Sequence, residues 1–399
     1  RRARGAGATR GMAGRRMSAA PGMRWQVSAT RRIEYDLLNV ADVFDPRSDA
    51  LLSMGRVQDG RRFVVVDVCV HAHHGERIRA YFAHHRVDAR IITLPGGEGG
   101  KSLEAWLSVL RELDGFPIHR RDEPVIAIGG GVLTDVVGYA AASYRRGVPH
   151  IKVPTTLMGY VDAAVGIKTG INFNGHKNRL GNFEPPRRVL LDRRLLRSLP
   201  LRHLCNGLCE IVKLAVIRDA ALFGLLERHG AASLASAFQD AHGGDILDRA
   251  IGGMLEELAP NLHEEELARK VDFGHTFSYG LETRHGDDLL HGEAVLLDIL
   301  VSTAIARRRG LLGAAAAGRI FALVDRLGLA PDLGLLDAEL MWQSLLDRVE
   351  HRNGLQRVPL PAAVGECVFV NDIARAEIEA SIQTLHDRTT TDHDRIAEC

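Results

Sequence analysis

The chain has 399 residues, 46% of them hydrophobic, and a net charge of +1. At roughly 150 residues per domain it suits two domains with full-sized cores, which excludes global disorder. No apolar run approaches the ~20 residues of a bilayer span. The five cysteines (Cys69, Cys205, Cys209, Cys367, Cys399) lack CxxC spacing, which argues against a disulfide scaffold or a thiolate zinc cluster and for a reducing cytoplasm.

Residues 1–33 hold nine arginines and no acid. Such a stretch suits a nucleic-acid arm or a targeting peptide, but the expectation is a disordered start. Met12, Met17 and Met23 are candidate initiators within it. The remainder is net acidic, which argues against nucleic acid as a partner. Of 51 basic residues only six are lysine: Lys101, Lys152, Lys168, Lys177, Lys213 and Lys270. In so arginine-rich a chain, each lysine marks a place where a compact ammonium on a flexible stem is needed.

From about residue 61 to 195 strand and helix patterns alternate. Residues 62–70 (RFVVVDVCV), 90–95 (RIITLP), 124–131 (PVIAIGGG), 150–154 (HIKVP) and 188–192 (RVLLD) read as strands, and 132–144 as a helix. That pattern predicts a doubly wound α/β domain. Beyond residue 200 the segments 207–229, 246–258, 293–309 and 315–327 carry helical periodicity. The expectation is an α/β domain over 33–199, an all-helical one over 200–385, and a polar, frayed tail from His386.

Three features carry chemistry. Gly129-Gly130-Gly131 followed by Asp135 sits at a strand-to-helix turn, where backbone amides and the helix N-terminus suit a pyrophosphate. A structural tight turn satisfies the same glycines, and the pattern is not GxGxxG. Lys152, Lys168 and Lys177 lie in a Gly/Thr/Asn-rich stretch that suits a phosphorylated, hydroxyl-rich substrate, although a solvated loop looks similar. Glu210, His275 and His291 form a set suited to a catalytic divalent metal; with 18 histidines, surface or capping roles are the alternative.

The blocks GGGVLTDVVGYAAASYRRGVPHIKVPTTLMGYVDAAVGIKTG, GHKNRLG, GLCEIVK, DFGHTF and LLHGEAV resemble the sugar phosphate cyclase superfamily, whose founding member is 3-dehydroquinate synthase. The resemblance spans residues 67–351. It implies a Rossmann-like NAD-binding domain, an all-α metal-binding domain, an active site between them and a homodimer. It places Asp67, Glu98, Lys101, Gly130, Gly131, Asp135, Thr155, Thr156, Lys177 and Asn178 on NAD. Glu210, His275 and His291 become ligands of one zinc or cobalt ion. Arg146, Asp162, Lys168, Asn178 and Lys213 fall at substrate positions, with Arg146 on the phosphate and Asp162, Lys168 and Lys213 catalytic.

Three departures from dehydroquinate synthase bear on the substrate. Asp272 replaces an Asn, and Leu258 and His351 stand where that enzyme has substrate lysines; all three count as substrate-site positions here, with Asp272 and His351 also catalytic. Without those cations a carboxylated substrate is disfavoured. The combination resembles the sedoheptulose 7-phosphate cyclases, above all those forming 2-epi-5-epi-valiolone for C7-cyclitol biosynthesis. The alternatives are 3-dehydroquinate synthase, cyclases forming 2-epi-valiolone or demethyl-4-deoxygadusol, and, more remotely, a metal-dependent polyol dehydrogenase. The implied lyase reaction is oxidation, β-elimination of phosphate, reduction, ring opening and aldol closure. Tyr279, where dehydroquinate synthases carry a second His, has no assigned role.

Overall fold

The computed structural model describes residues 24–52 and 60–397, with side chains to residue 388. The expectations for residues 1–23, including Met12, Met17 and Met23, lie outside the described residues, and 24–33 carry no helix or strand. Glu34–Cys399 forms one compact unit. Among the described residues no helix is long and apolar enough to cross a membrane.

The α/β part is built on six parallel strands: β1 (Asp36–Asn39), β2 (Arg61–Asp67), β3 (Asp88–Leu94), β4 (Val125–Gly129), β5 (His150–Pro154) and β8 (Arg188–Leu191). Their order is β1-β8-β5-β4-β2-β3. Helix α1 (Val68–His84) covers one face through Ile78, Tyr81 and Phe82. Helices α2 (Leu103–Asp114) and α3 (Gly131–Ser143) cover the other through Val109, Leu113, Val136, Val137 and Ala140. The chain steps to one side of β2 for β3 and to the other side for β4, so a topological switch lies between β2 and β4. The ends of these strands flank the crevice where such sheets bind ligands.

The strand read from 62 to 70 stops at Asp67. That residue caps α1, its Oδ1 accepting from the amides of Cys69 (2.8 Å) and Val70 (3.3 Å), so the β-branched VCV that follows is helical. An antiparallel hairpin, β6 (Lys168–Phe173) and β7 (His176–Phe183), crosses α3. It turns at Asn174-Gly175, whose φ values of 50° and 75° suit a tight hairpin.

The remainder is mainly helical: α4 (Leu201–Ile217), α5 (Ala220–Ala235), α6 (Gly243–Leu258), α7 (Ser278–His285), α8 (His291–Arg308), α9 (Ala314–Arg326), α10 (Ala338–His351) and α11 (Arg375–Ala397). The segment read as one helix over 207–229 breaks where Asp219 caps α5. The helical reading of this part holds, with one hairpin added to it, β9 (Val358–Ala363) and β10 (Glu366–Val370). Pro359 and Pro361 disguise β9, because a strand paired on one side tolerates prolines that a central strand excludes. The tail expected to fray from His386 stays helical to Ala397. One apolar cluster joins Leu157, Tyr160, Val161 and Val189 to α4, α6 and α8, so packing is continuous across residue 200.

Candidate active site

At the switch point β4 runs directly into α3. Gly130 is the N-cap and supplies no side-chain cap, so the first amides of α3 remain available to an anion. A Cβ at Gly131 would lie 2.9 Å from that of Ala163, so the turn is packed against the next loop. Thr155 N donates to Gly129 O (3.0 Å), and Thr156 Oγ1 accepts from Gly159 N (3.1 Å). Asp67 is buried beside this turn. Lys101 Nζ lies 2.6 Å from Asp135 Oδ2, while Glu98 accepts from Asn172, whose Oδ1 accepts from Asn178 N (2.9 Å). The residues expected on NAD, apart from Lys177, thus gather along the ends of β2 and β4 and the neighbouring hairpin.

Asp162 lies on a π-helical turn, Gly159–Ala163, a geometry that often marks functional sites. A Cβ at Gly207 would meet Leu157 and Met158 N at 2.5 Å, so only glycine lets α4 approach this turn so closely. Three residues on, Glu210 is fully buried. A Cβ at Gly292 would strike Asn206 O, and Gly292 N donates to Asn206 Oδ1 (2.6 Å), locking the start of α8 onto α4. These two contacts bring Glu210 and His291 together.

The donor atoms of Glu210, His275 and His291 lie within 4.8 Å of one another. His275 Nδ1 donates to Phe273 O (3.1 Å) and His291 Nδ1 to Glu282 Oε1 (3.1 Å). Both Nε2 lone pairs therefore face Glu210 Oε1, at 3.6 and 3.3 Å. Neither oxygen of this buried carboxylate receives a well-formed hydrogen bond, although Lys213 Nζ lies against Oε2. Three lone-pair donors converging on one point repel one another unless a cation sits between them, so the set fits a divalent metal.

Sequence reasoning missed Glu282. It bridges His291 and Lys177 (2.9 Å to Nζ), so Lys177 is tied to the metal side of the site as well as to the hairpin. Its only sequence signal was a carboxylate on the helix between the two histidines. Glu282→Gln should weaken metal affinity about 10–100-fold while leaving all three ligands in place. Competition with a chelator would measure this, and an unchanged affinity would remove Glu282 from the ligand-orienting role.

Burial and the nearby Glu210 carboxylate push the Asp162 carboxyl above its usual range. Lys213, opposed by burial, is held protonated by Glu210 and Asp162. Lys168 is exposed and pairs with Glu264, and Arg269 lies nearby. Leu258, at the end of α6, packs towards Gly166 beside Lys168. Tyr279 is half-buried on α7.

Two expected site residues are exposed in this structure. Arg146 is exposed just beyond the far end of α3, roughly 20 Å from the glycine turn by helical rise. His351 is exposed, and the next residue, Arg352, turns inward instead. Asp272 is buried among Arg269, Arg348 and Arg352, with Arg269 Nε at 3.1 Å and Arg348 Nη2 at 3.4 Å. Asp272 is therefore not an unpaired negative charge facing a substrate. Its charge is neutralised by guanidinium groups whose positions the sequence did not reveal.

Two family models cover this framework: 3-dehydroquinate synthase N-terminal over residues 91–206 and 3-dehydroquinate synthase C-terminal over 207–351. A 2-epi-5-epi-valiolone synthase from Actinoplanes sp. is 49% identical over 91% of this chain and 93% of its own length. A demethyl-4-deoxygadusol synthase from Trichormus variabilis is 37% identical over 94% and 92%. The solved structure of ValA, a 2-epi-5-epi-valiolone synthase from Streptomyces hygroscopicus subsp. jinggangensis with NAD+ and Zn2+ bound, matches with a TM-score of 0.87 and 43% identity. That match covers 91% of this chain and all of ValA. The glycine turn, the π-turn and the Glu-His-His cluster thus lie in a chain that belongs to the 3-dehydroquinate synthase family of sugar phosphate cyclases, among relatives named 2-epi-5-epi-valiolone synthase.

Proposed function

We propose that the protein is an NAD- and metal-dependent lyase that converts sedoheptulose 7-phosphate into 2-epi-5-epi-valiolone with loss of phosphate. The observation that carries the chemistry is the Glu210, His275, His291 cluster with Lys213 and Asp162 at its edge. The product is supported by relatives named 2-epi-5-epi-valiolone synthase that match almost end to end. When bound, NAD accepts and returns a hydride, and a zinc or cobalt ion polarises the substrate oxygen.

The chain's own residues divide the remaining work. Glu210, His275 and His291 hold the metal, and Glu282 fixes the His291 ring. Lys213 offsets the buried charge of Glu210 and offers a proton to a substrate oxygen beside it. Asp162 and Lys168, at the two ends of one turn, bracket the sugar, and Lys168 draws the anionic phosphate. The amides opening α3 hold the cofactor pyrophosphate, with Asp67, Lys101, Asp135, Thr155, Thr156 and Lys177 around it. Arg146, exposed beyond the far end of α3, is assigned to the substrate phosphate, and the enzyme is a homodimer in this reading. The enzyme is cytoplasmic in this reading.

The test is incubation with NAD+, a divalent metal and sedoheptulose 7-phosphate. One phosphate should be released per substrate, with mass and NMR identification of 2-epi-5-epi-valiolone and no accumulation of NADH. Stoichiometric NADH build-up would support a dehydrogenase instead. Conversion of the carboxylated dehydroquinate precursor, with none of the sugar phosphate, would replace the substrate assignment.

A further inference from the structure

Lys152 is one of six lysines in the chain, and the functional reading assigns it nothing. It is wholly buried on β5, where it pairs in register with Ala127, so its side chain shares the α3 side of the sheet with that residue. His150, two residues earlier on the same face, is also wholly buried, with both ring nitrogens lacking a hydrogen-bond partner. Burial and Lys152 pull His150 down to about 3, so it is neutral and offers Lys152 no counter-charge. Lys152 Nζ donates to a neutral acceptor, Gly166 O, at 3.0 Å, while burial works against its charge and the Asp135 carboxylate, already paired with Lys101, favours it from a distance. A buried cation on a carbonyl is costly unless its strong, charge-assisted bond is needed there.

Gly166 lies in the turn between Asp162 and Lys168. Three successive carbonyls of that turn are pinned from three directions: Val165 O by the Tyr35 hydroxyl (2.8 Å), Gly166 O by Lys152, and Ile167 O by Glu184 N (2.8 Å). Lys168 follows immediately. We propose that Lys152 is a positioning residue for the sugar phosphate, its buried ammonium fixing the turn that spaces Asp162 from Lys168. A guanidinium is bulkier and planar, which accounts for a lysine here in a chain whose basic residues are mostly arginine. This rests on the assignment of Asp162 and Lys168 to the substrate.

The experiment uses the full-length enzyme and Lys152→Met, which fills the same space without charge. Amide exchange in peptides spanning 159–172 should speed up about tenfold, while β4 peptides stay unchanged and the melting temperature does not fall. With sedoheptulose 7-phosphate, kcat/KM should drop about 10–100-fold, the scale of a misplaced reacting group, and the Kd for NAD+ should stay within twofold. Tyr35→Phe, which frees the adjacent carbonyl, should move exchange and kcat/KM in the same direction and keeps the test open if Lys152→Met does not fold. Unchanged turn exchange in the variants, kcat/KM within twofold of the unmodified enzyme, or equal losses of NAD+ binding and turnover would each overturn the proposal. Exchange needs no substrate, so failure of the unmodified enzyme to release phosphate would count against the substrate reading alone.

Discussion

His275→Ala or His291→Ala should lower bound metal from about one ion per chain to near zero and reduce turnover by three orders of magnitude or more. Three protein donors set the affinity of such a site, and removing one leaves a pair that competes poorly with water. A metal that polarises a substrate oxygen contributes several kcal/mol to the transition state, and each 1.36 kcal/mol is tenfold in rate. The fold should survive, because α4 and α8 are held by the Gly207 and Gly292 contacts and by the large apolar cluster. Far-ultraviolet circular dichroism checks that point, and elemental analysis of the purified variants gives the metal content. Full metal occupancy in either variant would defeat the ligand assignment.

The strands β4 and β5 and the helices α3, α6, α8 and α9 could be read within a few residues, because their patterns are long or sharply bounded by glycine and proline. The edges of other elements were set by single side chains that compete with local preference. Asp67 turns an apparent strand into a helix, and Asp219 splits an apparent helix in two. For the site, residue type was informative where chemistry allows few substitutes, as with Glu210, His275 and His291. It was uninformative for long-range partners. Nothing local in the sequence says that Glu282 meets His291, or that Arg352 rather than His351 faces inward, since both follow from how α7 and α10 pack. With 45 arginines in the chain, one more conveyed little, whereas each of six lysines could be questioned individually.

Asp272→Asn should destabilise the protein by about 3–5 kcal/mol, the cost of removing one partner from a buried ionic cluster. Asp272 is 5% exposed, and its two oxygens take Arg269, Arg348 and Arg352 between them. Burial alone would raise its carboxyl, but Arg269 and Arg352 hold it below the usual range, so it is charged at neutral pH. An asparagine there has nearly the same shape but leaves the guanidinium groups facing one another around a neutral amide. Arg269 retains Glu264, whereas Arg352 keeps carbonyl acceptors, at Gln356 and Arg357. The double variant Asp272→Asn/Arg352→Met should therefore recover part of the loss, and the non-additivity measures the pair directly. Denaturant unfolding at neutral pH provides the comparison. The consequence for substrate choice differs from simple repulsion of a carboxylate. Arg348 also donates to the carbonyl of His275, so loosening the cluster disturbs a metal ligand. Asp272→Asn should thus lower turnover of the sugar phosphate without creating turnover of the carboxylated precursor. An unfolding midpoint unchanged from that of the unmodified protein would show that Asp272 is not the anion on which these arginines depend.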